Sequence, residues 1–497
     1  MLDSGEKPRA AAAAYEGGIP SMTGIVDIQS SRVSNFFRFQ RDPLGFLVDA
    51  RPLGDVVSLR TSSFRPTFII NAPAYVQEIL VHQEDRMRKG RSAGVLRRTI
   101  GDGLLTSERE QHRQQKRYMT PAFYKERIQT YAEIVVEETR KLGAALQDGV
   151  PIAMHDAMMQ LTLGIIARTM FGTELEHDKA RLAHAVDVTI RHTARTIFSP
   201  IILPFNWPTP GNKAHRQAIG TLEQMIYGAI AAARKHPDAY ADNLLGLLLD
   251  TTDEDGKPLA DTEIRDQMMT MLLAGHETTA NALVWAWHGL ERAEGAADQL
   301  HRELDAARIR ERESGERMSA AARYREVPYT KQVIQETLRL YPPAWAILRE
   351  AEHGLEMLGD QFPARSSFLI SPYAIHRNDE VFGDAKAFRP DRFKEGTSAW
   401  ARFAYFPFGG GSRGCIGSQF AMMEAALILG TLAEQFTFKS AAGQDDPVPE
   451  PLVSLRIKGG RIMIPHRRTA LSPHGRGEPN SRPNAQTMLS TEGGHRA

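Results

Sequence analysis

Only one of the 497 residues is a cysteine, Cys415. That excludes an intramolecular disulfide and fits a reducing compartment. No apolar run approaches the ~18–20 residues needed to span a bilayer. The first residues, Met1-Leu-Asp-Ser-Gly-Glu-Lys-Pro8, lack an apolar core of signal-peptide length. A cytoplasmic protein without a transmembrane anchor is expected. Neither sign of charge dominates, with 61 basic and 60 acidic residues, so the composition carries no nucleic-acid footprint. There is no internal repeat. Large apolar residues almost vanish past Arg468, and residues 468–497 are expected to form a disordered tail. Residues 1–24 are Ala- and Gly-rich without amphipathic period and read as a loose arm.

Between those ends the hydrophobic pattern is that of a soluble globular protein. Two strand-like runs, Asp55–Arg60 and Pro66–Ile70, are followed by Ala72-Pro73, which opens a helix carrying Val76, Ile79 and Leu80 on one face. The chain then reads mostly helical to about Leu340. Met158, Leu161, Thr162 and Ile165 recur at helical spacing, as a packed core face would. Residues 201–210 form an apolar, proline-broken loop between two helical segments, a candidate lid or membrane-touching element. Charge alternation over Arg308–Arg317 reads as a solvated helix end. After Leu340 the chain turns proline-rich and strand-like.

The lone cysteine lies in Phe408-Gly-Gly-Gly-Ser-Arg-Gly-Cys415-Ile-Gly417. Glycines let backbone N–H groups approach the sulfur. The apolar helical stretch after it, about Gly417–Glu434, places a helix N-terminus beside the thiol and is expected to lower its pKa. The setting suits a metal-ligating thiolate better than an inert buried cysteine. A second group, Ala274-Gly-His-Glu-Thr-Thr279, sits inside a long helical stretch from about Asp261 to Leu290. Gly275 weakens the helix, and Thr278 can hydrogen-bond to a carbonyl one turn back; together they predict a local bulge. A third group is Glu336-Thr-Leu-Arg339, whose charged residues share a helix face. A fourth is Phe388-Arg-Pro-Asp-Arg392-Phe393.

The pattern Phe-x-x-Gly-x-Arg-x-Cys-x-Gly resembles the haem-ligand loop of cytochromes P450. Five fixed positions at about 5% usage each arise by chance in a chain this long with odds on the order of one in ten thousand. The other three groups resemble P450 segments in the family's order. The resemblance implies one large haem domain, residues 25–467, where length alone suggests roughly three domains. It implies the P450 fold, a mainly α triangular prism with a smaller β-rich part, the haem lying between the long distal helix and the Cys415 loop. It makes Cys415 the axial iron ligand of haem b (iron protoporphyrin IX), with Phe408 and Arg413 in the same loop. Glu277 and Thr278 match the acid–alcohol pair that delivers protons to bound dioxygen. Glu336, Arg339 and Arg392 match a structural charge cluster. Arg349 and the pair His112 and Lys116 match propionate contacts. Lys116 stands where the family shows arginine, so a bidentate grip is lost there and Arg113 or Arg117 is a candidate substitute. His276 lies one residue from the acid, at a variable position, and is not assigned to the chemistry.

The activity implied by the resemblance is that of a monooxygenase. It would insert one oxygen atom of O₂ into a C–H bond of a lipophilic small molecule. Leu340–Arg349 and Ser371-Pro-Tyr373 resemble bacterial P450s acting on carotenoids, terpenoids or fatty chains. Electrons would come from a separate ferredoxin or flavodoxin with its reductase, docking near Arg113, Lys116 and Arg117. The alternatives are a haem-thiolate peroxygenase or isomerase, and a non-catalytic haem sensor.

Overall fold

The computed structural model describes residues 24–59, 65–172, 179–199, 203–396 and 400–468. Arg60, Ile201, Ile202, the 1–24 arm except Gly24, and the 468–497 tail except Arg468 lie outside the described residues.

Nine of the described helices build the site and its surroundings: Arg91–Ile100 (α1), Arg109–Met119 (α2), Lys125–Ala145 (α3), Met154–Phe171 (α4), Lys179–Phe198 (α5), Pro210–Lys235 (α6), Asp261–Arg292 (α7), Pro328–Leu340 (α8) and Ser418–Ala433 (α9). None of the described helices is long and apolar enough to cross a membrane.

The 32-residue α7 is the spine of the molecule. Its first turn is closed by Glu263, whose carboxylate accepts the otherwise unpaired N–H of Ala260 at 2.9 Å. From His276 to Leu290 every residue except Thr278 is buried. A helix buried on all sides belongs in a core, and α4, α8 and α9 pack around this one. On α4, Met158, Leu161, Thr162 and Ile165 are all buried in that core, as their spacing predicts.

The bulge expected at Gly275 is not there. The α-helix runs unbroken from Asp261 to Arg292. Gly275 instead permits close approach of α4: a Cβ there would lie 3.0 Å from the Ile166 Cδ1. Carbonyls on either side of the glycine receive extra donors. Thr278 Oγ1 donates to Ala274 O at 3.1 Å, and Thr162 Oγ1 donates to His276 O at 3.0 Å. These hydroxyls add to the ladder without replacing it.

The β-rich part is a six-stranded sheet built from Ile25–Asp27 (β1), Val56–Ser58 (β2), Thr67–Ile70 (β3), Met87–Arg88 (β4), Ile347–Ala351 (β5) and Ser367–Ile370 (β6). Its strand order is β1-β2-β3-β6-β5-β4. β3 runs parallel to β6 with Ile69 opposite Leu369, and β5 runs antiparallel to β6 with Leu348 opposite Leu369. The residues of β2, and those of β3 and β6 beyond their first positions, are buried, which suits their runs of Val, Ile, Leu and Phe. The sheet carries Arg349 on β5 next to β4, and so to the rim of the cavity onto which Cys415 opens.

Glu336, Arg339 and Arg392 converge as their pattern predicts. Glu336 and Arg339 are completely buried. Arg339 donates to both Glu336 oxygens at 2.7 and 2.8 Å and to the carbonyls of His376, Ala385 and Ala387. Arg392 Nε and the Arg389 N–H also reach Glu336 Oε1. A buried ion pair is tolerable only when its remaining donors are satisfied, and here the backbone does that. The cluster pins α8 to the irregular chain that leads into the cysteine loop.

Candidate active site

Residues 408–415 form a tight loop ahead of α9. Cys415 N–H donates to Phe408 O at 2.9 Å, closing it. Gly411 sits at φ +68°, where a Cβ would fall 1.8 Å from the Leu80 carbonyl oxygen, so only glycine fits. Ser412 is held from both sides: its N–H donates to Glu84 at 2.8 Å, and its carbonyl accepts from Lys116 Nζ.

The loop faces an internal cavity of about 450 Å³. Cys415, Phe408 and Arg413 form one wall; Ala274, Thr278 and Thr279 of α7 form another. Apolar side chains from α1, α8 and β5, among them Leu96, Leu338 and Ile347, complete it. Cys415 is exposed onto this cavity, yet the sulfur lies deep in the protein. Burial raises its thiol pKa, while the Gly417 N–H and the Lys116 charge lower it. Burial wins, so the net lowering expected from the helix N-terminus is not found. Metal coordination would remove the proton regardless, since a ligating thiol is deprotonated outright.

Basic side chains, three of them (Lys116, Arg349 and Arg413) firmly cationic, crowd one edge of the cavity. Lys89, His112, Lys116, Arg349 and Arg413 all line it. Arg413 pairs with Glu108 at 2.9 Å and donates to Met87 O. Among the described residues Arg349 donates only to its neighbour's carbonyl, Leu348 O. Burial, with the nearby Arg413 charge, lowers Arg349 to about 10. Lys89 falls to about 7, chiefly through burial, and His112 to about 3 for the same reason with Lys89 and Arg413 adding. Five basic groups converge here, and among the described residues Glu108 and Glu84 are the acids acting on Arg349. That edge calls for bound carboxylates. Among the described residues no three His, Cys, Asp or Glu side chains gather into a metal site. A single thiolate facing a cavity rimmed by cations fits a haem, whose ring supplies the other four iron donors and whose propionates would meet the cations.

The structure thus gathers Cys415, Phe408, Arg413, Arg349, His112, Lys116 and Thr278 around one cavity. It does not bring Glu277 there. One residue turns a helix by about 100°, and Glu277 faces Ser454 and Asn281 instead. Asn281 in turn donates to Ser454 Oγ at 2.7 Å. Burial raises the Glu277 carboxyl, and the Ser454 hydrogen bond and Arg456 charge partly offset this. His276 is fully buried away from the cavity, with Nδ1 2.7 Å from Leu272 O. Neither candidate substitute for the missing arginine takes that role: Arg113 pairs with Glu110 and Arg117 with Glu254. Both pairs lie exposed at the surface, where such pairs are weak.

Sequence reasoning missed Lys89, Thr279, the Ser454–Asn281 pair and Glu424. Glu424, on α9, is fully buried with neither carboxylate oxygen in a hydrogen bond of good geometry. Burial raises it to about 8, with only Thr279 nearby to lower it. Thr279 repeats the threonine before it, and that doubling was the one visible signal.

Comparison with known proteins places this fold in a family. The chain is 37% identical over 434 residues to cyclooctatin synthase of Streptomyces melanosporofaciens, covering 86% of this chain and 92% of that protein. It is 32% identical over 409 residues to pentalenene oxygenase of Streptomyces avermitilis, covering 81% and 88%. It is also 32% identical over 431 residues to cyclooctat-9-en-7-ol 5-monooxygenase of Streptomyces melanosporofaciens, covering 85% and 91%. The cytochrome P450 family description matches residues 37–464, a span that takes in every wall of the cavity and the cysteine that faces it. By that match the chain belongs to the cytochrome P450 family.

Proposed function

We propose that this protein inserts one oxygen atom of O₂ into a C–H bond of a lipophilic terpenoid, with a separate iron–sulfur or flavin protein supplying electrons. The observation that carries the reading is a hydroxyl, Thr278, on the same cavity as the sole thiol. The cofactor would be haem b held in residues 25–467. One cysteine in the whole chain leaves no Cys pair for covalent haem attachment.

When bound, the haem iron activates O₂, and electron density from the thiolate favours O–O cleavage, the property for which P450 ligation is known. Per turnover, two electrons and two protons enter; one oxygen goes to the substrate and the other leaves as water. The chain's part is to supply those protons in register and keep bulk water out. Thr278 Oγ1 donates to Ala274 O, which leaves its lone pairs free to accept from a water. Glu277, its carboxyl raised by burial, lies off this cavity beside Ser454 and Asn281, so Thr278 is the proton-handling group that the chain presents to it. The apolar walls suit a hydrocarbon skeleton, and the names of the relatives specify pentalenene and cyclooctat-9-en-7-ol as molecules oxidised by those proteins.

The test is Thr278→Ala with product, peroxide and reductant counted together. Loss of a positioned proton-transfer group costs about 10²-fold or more where that group is essential. Reductant consumption should persist while product per reductant falls at least tenfold and peroxide rises. An unchanged product yield rejects the assignment. Turnover by the wild type with peroxide alone, and none with reductant and O₂, favours the peroxygenase.

A further inference from the structure

A second cavity, of about 200 Å³, lies between α1, α5 and α6. That is room for several waters or one small oxyanion. His215 of α6 is 3% exposed and packs at a tilt against His192 of α5, with ring centroids 4.3 Å apart. Its Nε2 lies 3.4 Å from Thr99 Oγ1 on α1, which in turn lies 3.2 Å from Thr193 Oγ1 on α5. Its Nδ1 has no partner among the described residues, although the ring borders the cavity. An unpaired buried nitrogen is costly unless a ligand or water meets it.

Charge decides which ligand. Arg98 and Arg195 border the same space, and no aspartate or glutamate does. Neither arginine has an acidic partner among the described residues. The α6 helix also begins here, with Thr209 and Asn212 on the wall, and a helix N-terminus adds partial positive charge. Hydroxyls, imidazoles and guanidiniums without a carboxylate suit a ligand that accepts hydrogen bonds and carries negative charge. We infer that this cavity binds a small oxyanion, a carboxylate or phosphate, bridging α1 to α5 and α6.

The bridge has a consequence for the substrate. α1 presents Val95, Arg98 and Thr99 to this cavity and Ser92, Ala93 and Leu96 to the haem cavity. Asn212 meanwhile holds the connection between α5 and α6 through the carbonyls of Pro204 and Trp207. An anion here braces a wall of the substrate cavity and tightens substrate binding; by linkage, substrate tightens the anion. This coupling rests on the monooxygenase reading, whereas anion binding does not.

The test uses haem-loaded full-length protein and inorganic phosphate, with chloride holding ionic strength constant. Phosphate should raise the thermal midpoint saturably, and the rise should vanish in the Arg98→Ala/Arg195→Ala double variant, which changes only exposed residues. His215→Gln should weaken apparent phosphate affinity about fivefold or more. A rise that does not saturate, or that persists in the double variant, overturns the site. Saturating phosphate should also tighten a probe hydrocarbon, read by the Soret spin-state shift, several-fold. Phosphate that binds without moving that affinity overturns the bracing but leaves the monooxygenase reading untouched.

Discussion

At the scale of single residues, the unusual chemistry is a carboxyl group. Glu424 is held neutral by burial, with its pKa pushed up to about 8; in an unfolded chain a glutamate titrates near 4.3. Below about pH 4 both states carry the proton. Between there and about 8 the folded state holds it and the unfolded state does not. Stability from this group is therefore present at low pH and is lost as pH climbs through that window. Glu424→Gln removes the titration, so its thermal midpoint should gain on the wild type by a few degrees at pH 8 relative to pH 5. Equal differences at the two pH values would show that Glu424 does not titrate there. Cys415, Thr278 and the Glu336–Arg339 pair were legible in the sequence because each is chemically conspicuous where it stands. Glu424 was not, because one acid in an apolar helical run does not announce whether it points to solvent or core.

At the scale of elements, what was legible depended on range. The α4 face and the α8 charge pair follow from local spacing and appear as read. The bulge expected in α7 is absent: Gly275 packs close against Ile166 of α4, a neighbour that local propensity does not reveal, and the Thr278 back-bond forms within an unbroken helix. The cation cluster joins β4–α1, α2, β5 and the cysteine loop, separated by hundreds of residues, and Lys89 could not be placed in it from sequence. The cysteine loop shows the opposite case, where a local rule carries over. Gly411→Ala should abolish haem incorporation, because the obstructing atom is a backbone carbonyl that cannot rotate aside. The measurement is Soret absorbance per protein in soluble material, with Gly443→Ala, another positive-φ glycine but with nothing within 4 Å of its Cβ position, as the control for backbone strain. Equal haem content in the two variants would refute the steric account.

At the scale of the whole molecule, the cysteine loop separates two concave surfaces. Phe408 borders both the haem cavity and an open groove whose walls include Lys125, Arg325 and Lys331 along with Ile128, Met422 and one acid, Glu395. A net positive groove beside the iron ligand suits docking of an acidic electron carrier. The sequence pointed to Arg113, Lys116 and Arg117 for this; the two arginines pair with surface glutamates, and Lys116 donates to Ser412 O. Lys125→Glu/Lys331→Glu should slow reduction by an acidic ferredoxin about tenfold at low salt, with the deficit shrinking as salt rises over the Debye range. Stopped-flow reduction rates that match the wild type at low salt would place the docking surface elsewhere.

The lone thiol opens onto the haem cavity and sits deep in the fold. A maleimide added to the native protein therefore has a single target, which a resident haem shields. Because burial raises the thiol, labelling is driven to completion at alkaline pH, and each adduct counted by intact mass then marks one haem-free molecule. Cofactor loading becomes a tally of individual chains, independent of any extinction coefficient.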